Sequence, residues 1–338
     1  MALKIPGAKN IFPHSKEFEQ GGGQIRKGMG TIIVALDGSG DTDNIQDAIS
    51  MLPATGGEVF IKGGTYNIST DILITTSNTT LTGVGYGTII NALDLGAEAT
   101  HSLIKIGNGT DNVSNIIIQN LKLEGNRTVQ TSMYTRNVYS QKMYHSLFDN
   151  IWLHGSISSH TMEWIGQSHY NKVSNCFMEG GDIKLTSCDS NMFVNNRIGG
   201  VYIVTGGEYL NISSNILTGK VRGTGLLNSV INSNTYDGAD AGVQLVDSDK
   251  NSITGNTMIS VTTDGIKLTT SDGNIISSNN IQNSNKGIDI ISGDKNIIIG
   301  NICLNNTVSQ ITDAGTNTHP NGASGTTNLA LDDLNIIA

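Results

Sequence analysis

The chain has 338 residues, a formal charge of −9, 41 glycines and only 4 prolines, with few charged or aromatic side chains. That is the composition of a β-rich chain with many tight turns, and it excludes a helical bundle. The acidic balance argues against general attraction to nucleic acid or to an anionic membrane, while Cys176, Cys188 and Cys303 lack the paired spacing of a disulfide framework or a zinc knuckle.

The opening MALKIPGAKN lacks the apolar core of a secretion signal, and nothing in the chain approaches the ~18 apolar residues of a membrane span. No membrane insertion is expected, and the chain as given, with no signal peptide, reads as one assembled in the cytoplasm. Residues 1–33, with GGGQ and few apolar positions, are expected to form an extended arm. The next unit is VALDGSGDTDNIQDAISMLPATGGEVFIKGGTYNI, Val34 to Ile68. Thr42 or Asp43 is placed to cap a short helix through Met51, whose Ile45, Ala48, Ile49 and Leu52 share one face. Such a helix would cover the open edge of a stack of strands. Gly56 and Gly57 then turn the chain into its first alternating strands.

A compositional anomaly follows at Met133–Lys172, MYTRNVYSQKMYHSLFDNIWLHGSISSHTMEWIGQSHYNK. Both tryptophans, four of the seven histidines (His145, His154, His160, His169) and four of the nine tyrosines fall here. Aromatic planes stack on sugar rings, and Tyr and His transfer protons, so this block is where chemistry is expected. No histidine pair has the spacing of a zinc site, so no metal is assigned.

Downstream the chain repeats a phrase: SDKNSITGN from Ser248, SDGNIISSN from Ser271 and SGDKNIIIGN from Ser292. The repeat puts Asn196, Asn215, Asn234, Asn256, Asn279 and Asn301 in one column at intervals of 19 to 23 residues. Short strands at that interval, with no room for a helix between them, describe a parallel β-solenoid. A leucine-rich strand consensus is missing, and the repeat is too short for a propeller blade. Stacked asparagines can bond along the axis as a ladder, which makes them architectural. An apolar residue precedes each turn by six positions: Ile183 before Asp189, Tyr202 before Glu208, Val243 before Asp249, Ile266 before Asp272 and Ile288 before Asp294. That register predicts an outward column of Tyr139, Trp164, Lys184, Ile203, Arg222, Gln244, Lys267 and Asp289, with Lys220 and Asp182 beside it. Tyr144 and His169 take the turn position, and Glu163 falls at an inward position, as a local register slip or as a partly buried carboxyl of raised pKa. The tail THPNGASGTTNLALDDLNIIA loses the repeat and is read as a cap on the last coil or a trimer contact.

The entry unit, through Asp37, Gly38, Asp41, Asp43, Ile45, Gln46, Ala48, Ile49, Gly56, Gly57 and Tyr66, resembles that of the pectate-lyase-like right-handed β-helix superfamily. The likeness is to the branch of phage tailspikes and capsule depolymerases, and Lys62 stands where that family often has proline. It implies an all-β, right-handed, single-stranded parallel β-helix over 34–310, with a short N-terminal capping helix, between the arm and a tail or cap at 311–338. It also implies a polysaccharide partner, a virion-associated or extracellular setting and a homotrimer, and it leaves calcium open as a cofactor. Superfamily members include lyases, hydrolases, epimerases and plain binders, so the chemistry has to come from the residues. The Asp-Pro-His of alginate epimerases is absent.

Two chemistries fit the residues. For a lyase or C5-epimerase on a uronate polymer, Arg136, Lys184 or Arg222 would neutralise the substrate carboxylate. Tyr139, Tyr144, His145 or His169 would then remove the adjacent proton, and a second such group would return one. For a glycosidase, Glu163 and Asp182 are the available carboxyl pair. The scarcity of outward acids near the aromatic block favours the first. Trp164, Lys184, Lys220, Arg222 and Lys267, with Arg136, would line the track of an acidic polymer. A glycan-binding fibre without turnover is the third class.

Overall fold

The computed structural model describes residues 30–95, 101–130, 135–156, 160–316, 318 and 335–337. They form a right-handed parallel β-solenoid of about 12 turns with one helix. Its strands lie in a sheet of 22 strands, a sheet of 11, and two short two-stranded sheets at the corners. The helix, Ile45–Met51, buries Ile45, Ala48 and Ile49 against the first coil. Its cap is Asn44 rather than Thr42 or Asp43. The Asn44 carboxamide oxygen accepts from the backbone N–H of Gln46 and Asp47 at 2.8 and 3.1 Å, two donors the first turn would leave unpaired. Among the described residues no helix is long and apolar enough to cross a membrane.

The asparagine column exists and is continuous. Asn256 shows its logic: its Oδ1 accepts both the backbone N–H and the carboxamide of Asn234, at 3.0 Å each. Its own Nδ2 donates to the Ile231 carbonyl at 2.9 Å and to Asn279 Oδ1 at 3.0 Å. The same four bonds recur at Asn215, Asn234 and Asn279, and the column ends where Asn301 donates to Asn335 at 3.0 Å. A second ladder joins Asn251, Asn274 and Asn296 five residues earlier in each coil. The strained backbone lies one residue before each ladder asparagine. Asn195, Ser214, Ser233, Gly255, Ser278 and Gly300 have φ between 54° and 67°, the left-handed region that Gly and then Asn enter most cheaply.

Inside the coils two apolar columns fill the 11-stranded sheet's inner face. One runs Ile183, Val201, Val221, Val243, Ile266, Ile288; the other Leu185, Ile203, Gly223, Leu245, Leu268, Ile290. Six-residue spacing to the turn fails at two coils. Inward Met162 and Val201, not Glu163 and Tyr202, continue the first column. Each of these coils carries one extra residue before its corner, Gly166 in the first, and the ladder shifts register between Leu185 and Thr186 in the second. Because side chains alternate, a one-residue error exchanges the two faces of the strand.

The strand Thr31–Val34 pairs in parallel with Gly57–Ile61, so pairing begins within the residues expected to form the arm; residues 1–29 lie outside the described residues. At the other end Ser309–Asp313 adds a strand to the 11-stranded sheet, and Ile336–Ile337 pairs with Ile302–Leu304 on the last coil. Of the remaining tail, residues 319–334 lie outside the described residues.

Candidate functional site

On the outer face of the 11-stranded sheet the observed column is Tyr139, Glu163, Lys184, Tyr202, Arg222, Gln244, Lys267, Asp289. Trp164 and Ile203, expected there, point inward. Trp164 is 0% exposed and packs between Phe148 and Phe193, each ring centroid 5.6 Å away. Its coil neighbours on the inner face are Ser140, which is small, and Leu185. Trp164 is therefore a core residue and not a sugar platform. Trp164→Ala is expected to cost about 3–5 kcal/mol of stability in denaturant titration while the folded fraction keeps its ligand affinity.

Glu163, in turn, faces outward. Arg136 and Lys184 clamp its carboxylate, Lys184 at 2.8 Å, and the side chain is only 5% exposed because these two cover it. Each carboxylate oxygen already faces a cation, Oε2 the Arg136 guanidinium and Oε1 the Lys184 ammonium, so neither is free to meet a glycosidic oxygen. The expected cation track is largely spent in the same way. Lys220 pairs with Asp240 at 2.8 Å, and Lys267 approaches Asp264 at 3.7 Å. Arg222 instead lies over the Tyr202 ring, 5.2 Å from its centroid. His160 stacks on the other side of this group, 5.9 Å from Tyr202, and burial, with Lys184 nearby, lowers its pKa and keeps the imidazole neutral. Burial, with Glu163 beside it, raises Tyr139, which stays a phenol.

Tyr144, His145 and His169 do not join this group. They occupy the corner beyond the strand ends, where Tyr144 meets His169 edge-on at 5.6 Å and His145 stacks on Tyr170 at 5.1 Å. His169 Nδ1 accepts the Asp189 backbone N–H at 2.8 Å, so that nitrogen carries no proton.

The concave site lies at the opposite ends of the strands. A groove of about 920 Å³ is lined by Glu124, Arg127, His154, Glu179 and Asp182 together with Gly155, Gly180 and Gly181. Glu124 and His154 end adjacent strands, Ile117–Glu124 and Leu147–His154, and Asp182 begins the strand Asp182–Thr186. His154 Nδ1 meets Glu124 Oε2 at 2.7 Å, and its Nε2 faces Glu179 Oε2 at 3.7 Å. Burial alone would raise Glu124, but hydrogen bonds from His154, Lys122 and the Asn126 N–H bring its pKa below the ordinary value. Asp182 is shifted the other way: burial raises it, with Asp240 adding and Lys220 subtracting. Glycines keep the groove open. Gly155 has φ +71° and a Cβ there would collide with Glu124 Oε1, while one on Gly199 would come within 2.8 Å of Asp182 Oδ1.

Of the groove residues, Asp182 stands out in the sequence, while Glu124, Glu179 and the partnership of His154 do not. The only available signal was the His154 position in the aromatic block. Carboxylates from two different coils converge only once the corners have folded.

A family model described as periplasmic copper-binding protein (NosD) matches residues 125–330, more than half of the chain. The chain belongs to the NosD family. Among the described residues no three His, Cys, Asp or Glu side chains are grouped to hold a metal ion. Its thiols are buried, Cys176 and Cys303 with pKa pushed up to about 12 and Cys188 to about 11, so none supplies a thiolate. No curated protein matches this chain. Solved right-handed parallel β-helix structures do. The A-module of a mannuronan C-5 epimerase from Azotobacter vinelandii is 16% identical, with 87% of this chain and 94% of that one covered and a TM-score of 0.59. An exopolygalacturonase from Thermotoga maritima is 14% identical over 83% and 88% of the two chains, TM-score 0.62. The Dettilon tailspike protein is 14% identical over 91% and 68%, TM-score 0.62. At these identities the likeness is one of fold.

Proposed function

We propose that this chain binds a polysaccharide along the 11-stranded sheet and hydrolyses a glycosidic bond in the Glu124–His154–Asp182 groove. The observation that carries this is the divergence of two carboxyl groups in one cavity, Glu124 lowered and Asp182 raised. Environments that push paired acids apart assign them opposite roles. Asp182 gives its proton to the glycosidic oxygen as the bond to the anomeric carbon breaks. A water attacks that carbon and passes its proton to His154 Nε2, while Glu124 holds the Nδ1–H and fixes the tautomer. Proton exchange with solvent resets both groups. His154 lies one coil from Asp182, about 5 Å along the axis. The solved epimerase, exopolygalacturonase and tailspike structures support a polysaccharide as ligand.

The test is release of reducing ends from a polysaccharide panel, followed beside ultraviolet absorbance from unsaturated ends. Reducing ends without absorbance support hydrolysis. Absorbance would transfer the chemistry to a lyase reading, which neutral His160 as base, Tyr139 as proton donor and Arg222 as carboxylate partner specifically favour; neither signal from any polymer sinks both.

The tailspike likeness extends the proposal to a virion-borne homotrimer. Sedimentation velocity is expected to give a trimer, and a monomer at micromolar concentration would remove that part.

A further inference from the structure

The cations on the sheet face are unequal. Arg136 and Lys184 are absorbed by Glu163, Lys220 by Asp240 at 2.8 Å, and Lys286 by Asp289 at 2.9 Å. Arg222 and Lys267 differ. Among the described residues Arg222 makes no ion pair; it is exposed, and its guanidinium carbon lies over the Tyr202 ring, 5.2 Å from the centroid. Lys267 is 3.7 Å from Asp264, beyond hydrogen-bond length. Between them in register stands Gln244, and the three side chains with Thr269 line a pocket of about 150 Å³. Two under-used cations and an amide around a small concavity match one chemical group, the oxygens of a carboxylate or sulfate.

We infer that Arg222, Gln244 and Lys267 form an anion subsite for an acidic sugar, and that the substrate is a heteropolysaccharide mixing acidic with neutral residues. The second clause rests on the hydrolytic reading of the groove. Glu124 and Glu179 there stand close to an acidic unit at the scissile bond, with Asp182 protonated and Arg127 the one cation in the lining, so a neutral unit fits that position better than a charged one. The acidic unit belongs farther along the axis. Arg222 stands two coils and Lys267 four coils beyond Asp182, about 10 and 19 Å at the spacing of neighbouring strands. A polymer lying along the sheet therefore meets the groove's carboxylates at one end and the loosely paired Arg222 and Lys267 at the other, and a mixed chain suits both. A homopolyuronate presents charge to the groove, and a neutral glucan leaves the cations unused.

Calorimetric titration with the Asp182→Asn variant, which stops turnover, tests the subsite separately from hydrolysis. The probes are an alternating uronate–neutral oligosaccharide, its carboxyl-reduced form, a homopolyuronate, a neutral glucan and a sulfated neutral oligosaccharide. The alternating probe is expected to bind tightest and to weaken about tenfold when its carboxyls are reduced. Arg222→Gln or Lys267→Gln should produce a similar loss, since each removes one charged hydrogen bond. Both residues face solvent, so the folded state is preserved, and the double variant should also lose the wild type's salt sensitivity. Tighter binding of the sulfated probe than of the uronate would assign the pocket to sulfate esters. Equal affinity for acidic and reduced probes, unchanged binding in the double variant, or no binding by any probe would overturn the inference. Reducing-end release by the wild type reports on the groove independently, so a failed subsite and a failed hydrolytic reading leave different records.

Discussion

Asn256→Ala is expected to lower the stability of the solenoid by more than about 3 kcal/mol, although it removes no apolar surface. Four partners lose their bonds at once: the backbone N–H and carboxamide of Asn234, the Ile231 carbonyl and Asn279 Oδ1. Asn256 is 1% exposed, so no water replaces them freely, and each buried orphan costs about 1–3 kcal/mol. Asn256→Asp separates the components, since it keeps the acceptor but loses both N–H donors and buries a charge facing Asn279 Oδ1; it should be at least as damaging. Asn280→Ala is the reference. That side chain accepts only from Gln282, and its loss should stay below about 1 kcal/mol. Because stacked coils open locally, guanidinium unfolding should be read with hydrogen exchange at the Asn234 amide, whose protection should fall first. Full protection there in Asn256→Ala, with an unchanged midpoint, would show that the ladder is decorative.

The ladder was legible because its cause is periodic. Each coil repeats the same hydrogen-bonding problem, and the chain answers with the same residue, as at Asn256, Asn279 and Asn301. The outward column was legible for the same reason wherever coil length was constant, as at Lys184, Arg222, Gln244 and Lys267. It failed where one extra residue entered a corner. Gly166 adds nothing to hydrophobic alternation, yet it exchanges Glu163 and Trp164 between surface and core. The richness of the aromatic block misled for a related reason. Its aromatics serve four different surfaces: Trp164 the core, Tyr139 the outer face of the 11-stranded sheet, the stacked His145 and Tyr170 a corner, and Trp152 the outer face of the other sheet beneath Lys122. Adjacency in sequence says which coil a residue belongs to, and position within the coil decides what it touches.

The groove carries the second large effect. Asp182→Asn is expected to reduce reducing-end release by roughly 10²–10⁴-fold, and His154→Gln by a similar factor, with glycan affinity retained in both. Glu124→Gln should fall between them and the wild type, since the amide still contacts His154 but no longer stabilises the imidazolium that forms as water loses its proton. The pH profile distinguishes a catalytic acid from a structural one. An acid donor works only while protonated, so the rate should decline as pH rises through the Asp182 pKa. Burial raises that pKa, which places the decline at higher pH than for an exposed aspartate. The same shift sets the stability linkage. A carboxyl raised in the folded state binds its proton more tightly there than when unfolded, so its contribution favours folding at low pH and turns unfavourable as pH climbs from the unfolded value through the folded one. Asp182→Asn should therefore abolish this limb of the rate profile and stabilise the fold slightly at neutral pH. A variant that loses activity and stability together would make Asp182 a structural group, and a wild-type rate in Asp182→Asn would remove it from the chemistry.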